Sequence, residues 1–230
     1  MYFQHSSEIW GDFPELVAGV LFAEGVDKPG QVQGAVTRFN AIAADRLATG
    51  PESELPEIQA WRRTFSKMGL KPTQYRCASE ALLRRFKKEK SLPSINPVID
   101  LCNSISLAFA TPIAVFDVSK IADHLEVCYA AGDETYLTFS GETENPEPHE
   151  VVFADGEKRA HARRWTNRQS GYSAVREQTA EILIVTEAMH DTASVDVPRL
   201  VDALAEEFTA TWSVTPKRGT LSQFSPRFDF

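Results

Sequence analysis

Several things are scarce or missing in this chain. No stretch approaches the about 20 consecutive apolar residues needed to cross a bilayer, so no membrane role is expected. The N-terminus lacks the basic, apolar and small-residue succession of a signal peptide. There are only 3 cysteines, Cys77, Cys102 and Cys128, scattered and without CxxC spacing. That excludes a disulfide framework and a cysteine zinc site, and it fits a reducing cytoplasm. The 5 histidines show no HExxH or other ligand spacing, so they read as surface residues and no metal is expected. No GxSxG, GxxxxGK[ST] or GxGxxG is present, which removes the commonest hydrolase, nucleotide and dinucleotide signatures. No cofactor is expected.

Taken alone, the net charge of −8 argues against a nucleic-acid partner, because phosphate binding needs clustered cations, and no DNA partner is expected. Its distribution is uneven. Between Arg76 and Lys90, 6 cations face only Glu80 and Glu89. Between Glu157 and Arg168, 5 cations face only Glu157. The acid lies elsewhere, notably over Glu142–Glu150 and Asp202–Glu207. Two basic patches on an acidic body either steer one particular polyanion or are solvated faces.

The periodicity places helices first and strands later. Leu16–Ala23 is a short apolar run suited to a strand, and Tyr2 and Phe3 suit a first one. Gln31–Leu47 has an amphipathic face of Val32, Val36, Phe39, Ala43 and Leu47, and Gly50-Pro51 ends it. Leu55–Met68 is a second helix. Pro72 and Thr73 are expected to open a third, with Tyr75, Ala78, Leu82 and Phe86 inward. After Pro93, Ile95–Ala110 reads as a helix and Ile113–Val118 as a strand. Ala122–Ala130 and Glu134–Phe139 read as strands, Gly141–Glu150 as an acidic loop, and Val151–Ala154 and Ile182–Thr186 as buried strands. Pro198 is placed near the first turn of a last helix over about residues 197–212, followed by an irregular tail. The expectation is an α+β fold, a mixed or antiparallel sheet packed with helices, as a single domain over residues 1–230.

The most informative stretch is Ile95–Asp117, INPVIDLCNSISLAFATPIAVFD. Asn96, Asp100, Asn103 and Asp117 sit in an otherwise mostly apolar run. Polar groups there cost free energy unless each finds a partner. The run is therefore a core held by side-chain-to-backbone bonds or the wall of a pocket. Asn96 and Asp100 flank a helix start and read as caps. Asp117 reads as a turn residue.

With its motif core over about residues 75–186, the chain resembles the B3/4 module of the bacterial phenylalanyl-tRNA synthetase beta subunit. It resembles still more closely the free-standing proteins that consist of little else. In the synthetase the stretch reads I-N-x-x-V-D-x-x-N, then P-x-H-A-F-D. Ile95, Asn96, Ile99-Asp100, Asn103, Pro112 and Phe116-Asp117 match in order. A hydroxyl-rich segment with Ser170-Gly171 and Thr179 follows, then an apolar strand. There are departures. The motif's histidine falls on Ala114. The glycine-rich run falls on ARRWTNRQSG, around Arg163–Arg168. The glutamate expected on the later strand falls on Val185, with Glu187 two residues on and so on the same face.

The resemblance implies a tRNA or aminoacyl-tRNA partner and hydrolysis of a wrongly attached amino acid. Its substitutions suggest a pocket for something more polar or anionic. It makes Asn103, Arg164, Trp165, Arg168 and Glu187 candidate substrate-binding residues, with water as nucleophile. Arg76, Arg84 and Arg85, in RCASEALLRR, are candidate RNA contacts, while Glu80 is expected to pair with Arg84 at i,i+4. No catalytic residue is assigned. One alternative is a non-catalytic module binding RNA or a small amino-acid-like ligand. Another is a small-molecule enzyme on a borrowed fold.

Overall fold

The computed structural model describes all 230 residues. In chain order the elements are β1 (Tyr2–His5), α1 (Ser7–Asp12), β2 (Val17–Glu24), α2 (Gln33–Thr49), α3 (Pro56–Lys67), α4 (Ala78–Glu89), α5 (Pro97–Phe109), β3 (Ile113–Asp117), β4 (His124–Tyr129), β5 (Tyr136–Leu137), β6 (Thr143–Glu144), β7 (Val151–Asp155), β8 (Ala160–Arg163), β9 (Arg168–Gln169), β10 (Glu181–Ala188), α6 (Ala193–Trp212), β11 (Lys217–Leu221) and β12 (Arg227–Asp229). The fold is α+β. One sheet has the order β12-β1-β4-β7-β8-β9 and is mixed, because β1 runs parallel to β4. The other has the order β11-β2-β10-β3 and is antiparallel throughout.

The period of two along β10 explains the layering. Leu183 and Val185 point into a core shared with the six-stranded sheet and with α1, α3 and α4. Ile182 and Ile184 point the other way, against α2, α5 and α6. With both faces covered, β10 reads as a continuous apolar run. Gly19 on β2 lets α6 come close. A Cβ there would lie 2.5 Å from Val201 Cγ2 and 2.8 Å from Val197 Cγ1.

The polar residues of Ile95–Asp117 are largely structural. The Asn96 side chain accepts from the Val98 amide at 2.9 Å and caps α5. Asp100 reaches back, accepting from the Ile95 amide at 2.8 Å and from the Ser94 hydroxyl. Asp117 is buried, accepting from the Ser119 amide at 3.0 Å and from the Thr179 hydroxyl at 2.7 Å.

Several expectations change, and the expected loop over Gly141–Glu150 holds the short strand β6. The third helix opens at Ala78, not Pro72, because Lys71–Tyr75 closes a turn of its own. Its buried face is Ser79, Glu80, Leu83 and Phe86. The strand expected over Glu134–Phe139 shrinks to the two residues of β5. The last helix begins at Ala193, so Pro198 lies inside it. The tail is not irregular: β11 pairs with β2 and β12 with β1, while Phe228 and Phe230 pack on the core and Phe224 is exposed. The Lys-, Arg- and Gly-rich β11 has no apolar alternation to announce it. It exists by completing a sheet edge.

Candidate functional site

Strand pairing builds the first wall of a cleft. Val185 lies directly opposite Ala114 across the β10–β3 ladder, and Glu187 follows on the same face of β10. The second wall is the turn from β8 to β9. Arg164 and Trp165 both adopt left-handed backbone conformations there, with φ of 45° and 56°. Such conformations cost non-glycine residues about 1 kcal/mol or more and persist only where the surroundings fix them. Here the Trp165 amide donates to the Val151 carbonyl at 2.7 Å and the Arg164 amide to Glu150 Oε1 at 3.0 Å. Asn167 Nδ2 donates to the Arg76 carbonyl at 2.7 Å, and the Ala78 amide, at the start of α4, donates to the Thr166 carbonyl at 2.8 Å. The turn is thus tied to α4.

The cleft has a volume of about 60 Å³. Ala78, Ala114, Ala162 and Val185 supply small apolar walls, and Thr166, Arg168, Gln169 and Glu187 supply polar ones. Thr166 Oγ1 is buried without a hydrogen-bond partner. Trp165 is fully buried, edge-on to Phe13 at 4.9 Å and to Trp61 at 5.3 Å. Its indole Nε1–H donates to Glu187 Oε1 at 2.9 Å. The same oxygen lies 2.6 Å from His5 Nε2. The Trp61 indole donates to the Glu187 carbonyl at 3.2 Å.

Two arginines flank the turn. Arg164 lies over the Tyr75 ring at 4.9 Å. Arg168 lies over the Tyr136 ring at 5.3 Å and donates to Glu144 Oε2 at 3.2 Å. Arg163 is buried against the same Tyr136 ring, 5.5 Å away, and grips both oxygens of Glu150 at 2.8 and 2.9 Å. Burial pushes the Glu150 carboxyl up, but the Arg163 hydrogen bonds outweigh that and hold it below the usual range.

The candidate residues divide. Trp165, Arg168 and Glu187 line this cleft, and Arg164 adjoins it. Asn103 does not. It lines a separate polar cleft of about 150 Å³ between α2 and α5, with Asn40, Ser94 and Asp100. Arg76 touches the turn through its carbonyl, while its Nη2 donates to the Thr73 carbonyl at 2.7 Å. Arg84 and Arg85 lie farther along α4, paired with Glu52 at 3.3 Å and Glu89 at 2.9 Å. Glu80 does not pair with Arg84. It is buried and held by Arg62 at 2.6 Å, with Arg76 Nε 3.5 Å away.

The histidines also differ from expectation. His5, His161 and His190 are buried, each against a carboxylate: Glu187, Asp155 and Asp196. His161 Nε2 meets Asp155 Oδ2 at 3.1 Å and its Nδ1 meets Ser173 Oγ at 2.8 Å, a Ser–His–Asp chain with the two ring nitrogens exchanged relative to a catalytic triad. His161 and Ser173 are both fully buried, so no substrate reaches that serine and the arrangement is structural. Burial pushes the Cys77 thiol up to about 11, which leaves it no thiolate character at neutral pH. No cluster of three His, Cys, Asp or Glu side chains is disposed to hold a metal. His5, Thr166, Asn167 and Gln169 escaped the sequence reading. The last three lie within the ARRWTNRQSG segment, but nothing local points to His5.

Residues 60–198 match the model of the B3/4 domain family. The phenylalanine–tRNA ligase beta subunit of Mannheimia succiniciproducens is 32% identical over 74 residues, 30% of this chain and 9% of that protein. The same subunit of Haemophilus influenzae is 23% identical over 117 residues, 51% of this chain and 14% of that protein. The chain therefore spans only a small part of these curated relatives. Among solved structures, an N-terminal fragment of the phenylalanyl-tRNA synthetase beta subunit from Pyrococcus horikoshii aligns with 93% of this chain and 49% of that one, at 10% identity and a TM-score of 0.48. No helix is long and apolar enough to cross a membrane.

Proposed function

The chain belongs to the B3/4 domain family, and from that premise we propose that it binds aminoacyl-tRNA and hydrolyses the ester of a mischarged one. Residues 1–230 act as one unit, in the cytoplasm, where such a substrate is found. The observation that carries this reading is the meeting of Ala114, Val185, Glu187 and the Trp165–Gln169 turn around one small cleft. These are separate segments of the chain, and a wall of alanines and valine beside a carboxylate suits an amino-acid side chain and its polar backbone. Arg168 on the cleft wall and Arg164 on the same turn suit the anionic nucleotide end. Editing of this kind is needed because a synthetase pocket discriminates poorly between near-isosteres. The chemistry asks little of the protein: hold the ester, orient a water, and stabilise the oxyanion.

A second reading is a binding module without hydrolysis. The side chain of Ala114, which lines the cleft, offers no hydrogen bond, which favours this alternative.

Salt dependence separates the ligand classes. Affinity for charged tRNA, measured by fluorescence anisotropy, is expected to fall steeply between 50 and 200 mM salt, in the manner of several phosphate contacts. No binding of tRNA at low salt, with salt-independent binding of a free aminoacyl ester, would contradict the tRNA assignment.

A further inference from the structure

Glu187 is a buried carboxylate with an uneven environment. Its Oε1 takes both available donors, Trp165 Nε1–H at 2.9 Å and His5 Nε2 at 2.6 Å. Its Oε2 accepts nothing from the chain, and the residue lines the cleft. The two donors therefore fix the carboxylate plane and leave one oxygen for a ligand or a water.

His5 comes from β1, 182 positions away in sequence, and its side chain is fully buried. Its Nδ1 has no hydrogen-bond partner. A proton on Nδ1 would be a buried donor without an acceptor, a cost of about 1–3 kcal/mol. The tautomer that this geometry satisfies carries its proton on Nε2 and donates to Glu187. The Trp10 ring, centred 4.9 Å from the imidazole, and Phe3, at 5.2 Å, hold the histidine in place. The arrangement is an oriented imidazole, then a carboxylate, then open cleft. A buried carboxylate with only one of its oxygens satisfied is expensive to keep for packing alone.

We propose that Glu187 is the proton acceptor for the hydrolytic water, and that His5 is a positioning residue that aims it. This rests on the reading of the cleft as a deacylation site. The water oxygen bonds to the ester carbonyl carbon while one of its protons passes to Glu187 Oε2. The tetrahedral intermediate then collapses, and the bond from carbon to the ribose oxygen breaks. That oxygen takes the proton back from Glu187 as it leaves. The products are the free amino acid and a tRNA with its terminal hydroxyl restored, and Glu187 returns to its carboxylate form. No cofactor enters the balance. His5 stays protonated at Nε2 throughout and keeps Oε1 out of the exchange.

The test uses the full chain and whichever charged tRNA the wild type deacylates fastest. Glu187→Gln keeps the size and an oxygen for the Trp165 indole but removes the base. It is expected to lower kcat by about 100-fold or more, with KM within about threefold of wild type. His5→Leu is expected to lower kcat by about tenfold or more without raising KM. His5→Gln places a donor near the position of Nε2 and is expected to recover most of the loss. Thermal midpoints are recorded for each variant. A wild-type kcat in Glu187→Gln would overturn the catalytic assignment. Equal losses in His5→Leu and His5→Gln, matched by equal drops in thermal midpoint, would overturn the positioning role. A wild type that binds charged tRNA but cleaves none would overturn the hydrolytic reading and the role of Glu187 together. Normal wild-type cleavage with unaffected variants would overturn the inference alone.

Discussion

Arg163 and Arg168 meet at a single carboxylate oxygen, Oε2 of Glu144, at 2.6 and 3.2 Å. The two are not equivalent. Arg163 is buried and keeps a bidentate bond to Glu150, whereas Arg168 is 40% exposed at the side chain and has Glu144 as its one ion-pair partner. Glu144 therefore competes with any anionic ligand for Arg168. Glu144→Gln is expected to raise tRNA affinity at low salt by about two- to fivefold, the scale of one exposed ion pair. The control is Glu142→Gln, an exposed carboxylate on the same loop without an arginine partner. An equal gain in the control would assign the effect to general charge, and no gain in Glu144→Gln would remove Arg168 from the anion site.

Arg164 and Lys88 carry the same charge in different settings. The Arg164 guanidinium lies over Tyr75 from the turn that walls the cleft, while Lys88 is an exposed residue near the end of α4. Arg164→Ala is expected to lower tRNA affinity or deacylation by about tenfold, and Lys88→Ala by less than twofold. Parallel titrations decide it. Equal effects would mean that charge alone, not the site, governs binding.

Asp155 supplies a prediction independent of function. It accepts from the amides of Ala122, Glu157 and Arg159 and meets the ring of His161. Burial pushes its carboxyl up, but the His161 and backbone hydrogen bonds outweigh this and hold it at about 2, against an ordinary 3.8. The folded value is the lower one, so the unfolded chain takes up the proton first as pH falls. The stabilisation is complete above about pH 4 and disappears between there and about pH 2, and it amounts to roughly 2 kcal/mol. Denaturant unfolding across that range is expected to show a steep loss in the wild type and a shallower one in Asp155→Asn. Identical slopes would contradict the network's role.

Gly19 governs how α6 docks on β2. Its missing Cβ leaves room for Val197 and Val201, and Thr186 Cγ2 would also lie 2.9 Å from an added carbon. Gly19→Ala is expected to cost about 1–3 kcal/mol, read as a fall in thermal midpoint, because three packed methyl groups must shift. An unchanged midpoint would show that α6 slides freely.

Local signals carried much of the architecture. The helical stripe of Phe39 and Ala43, the cap at Asn96, and the apolar run at Ile182–Thr186 all stand in the structure as the spacing predicts. Each depends on neighbours a few residues away. What depends on distant partners was not legible. His5 looked like a surface residue because its carboxylate, Glu187, lies 182 positions away on β10, while His161 and His190 are buried against Asp155 and Asp196 on neighbouring elements that six-residue spacing does not announce. β11 and β12 were missed because sheet-edge pairing, not hydrophobic alternation, makes them strands. Glu80 pairs with Arg62 from α3 instead of its own helix neighbour, since α4 rotates Glu80 inward and Arg84 toward Glu52. In the site, period-two spacing linked Val185 to Glu187, but only the fold brings them to Trp165 and leaves Asn103 in another cleft.

The proposed action on aminoacyl-tRNA is open to direct test. The most direct measurement is to incubate the purified protein with a panel of correctly charged and mischarged tRNAs and to follow loss of the aminoacyl ester with time. Rapid loss from one mischarged species is expected, well above spontaneous hydrolysis, with the correctly charged tRNAs spared. Ester half-lives equal to the uncatalysed ones across the whole panel would contradict it.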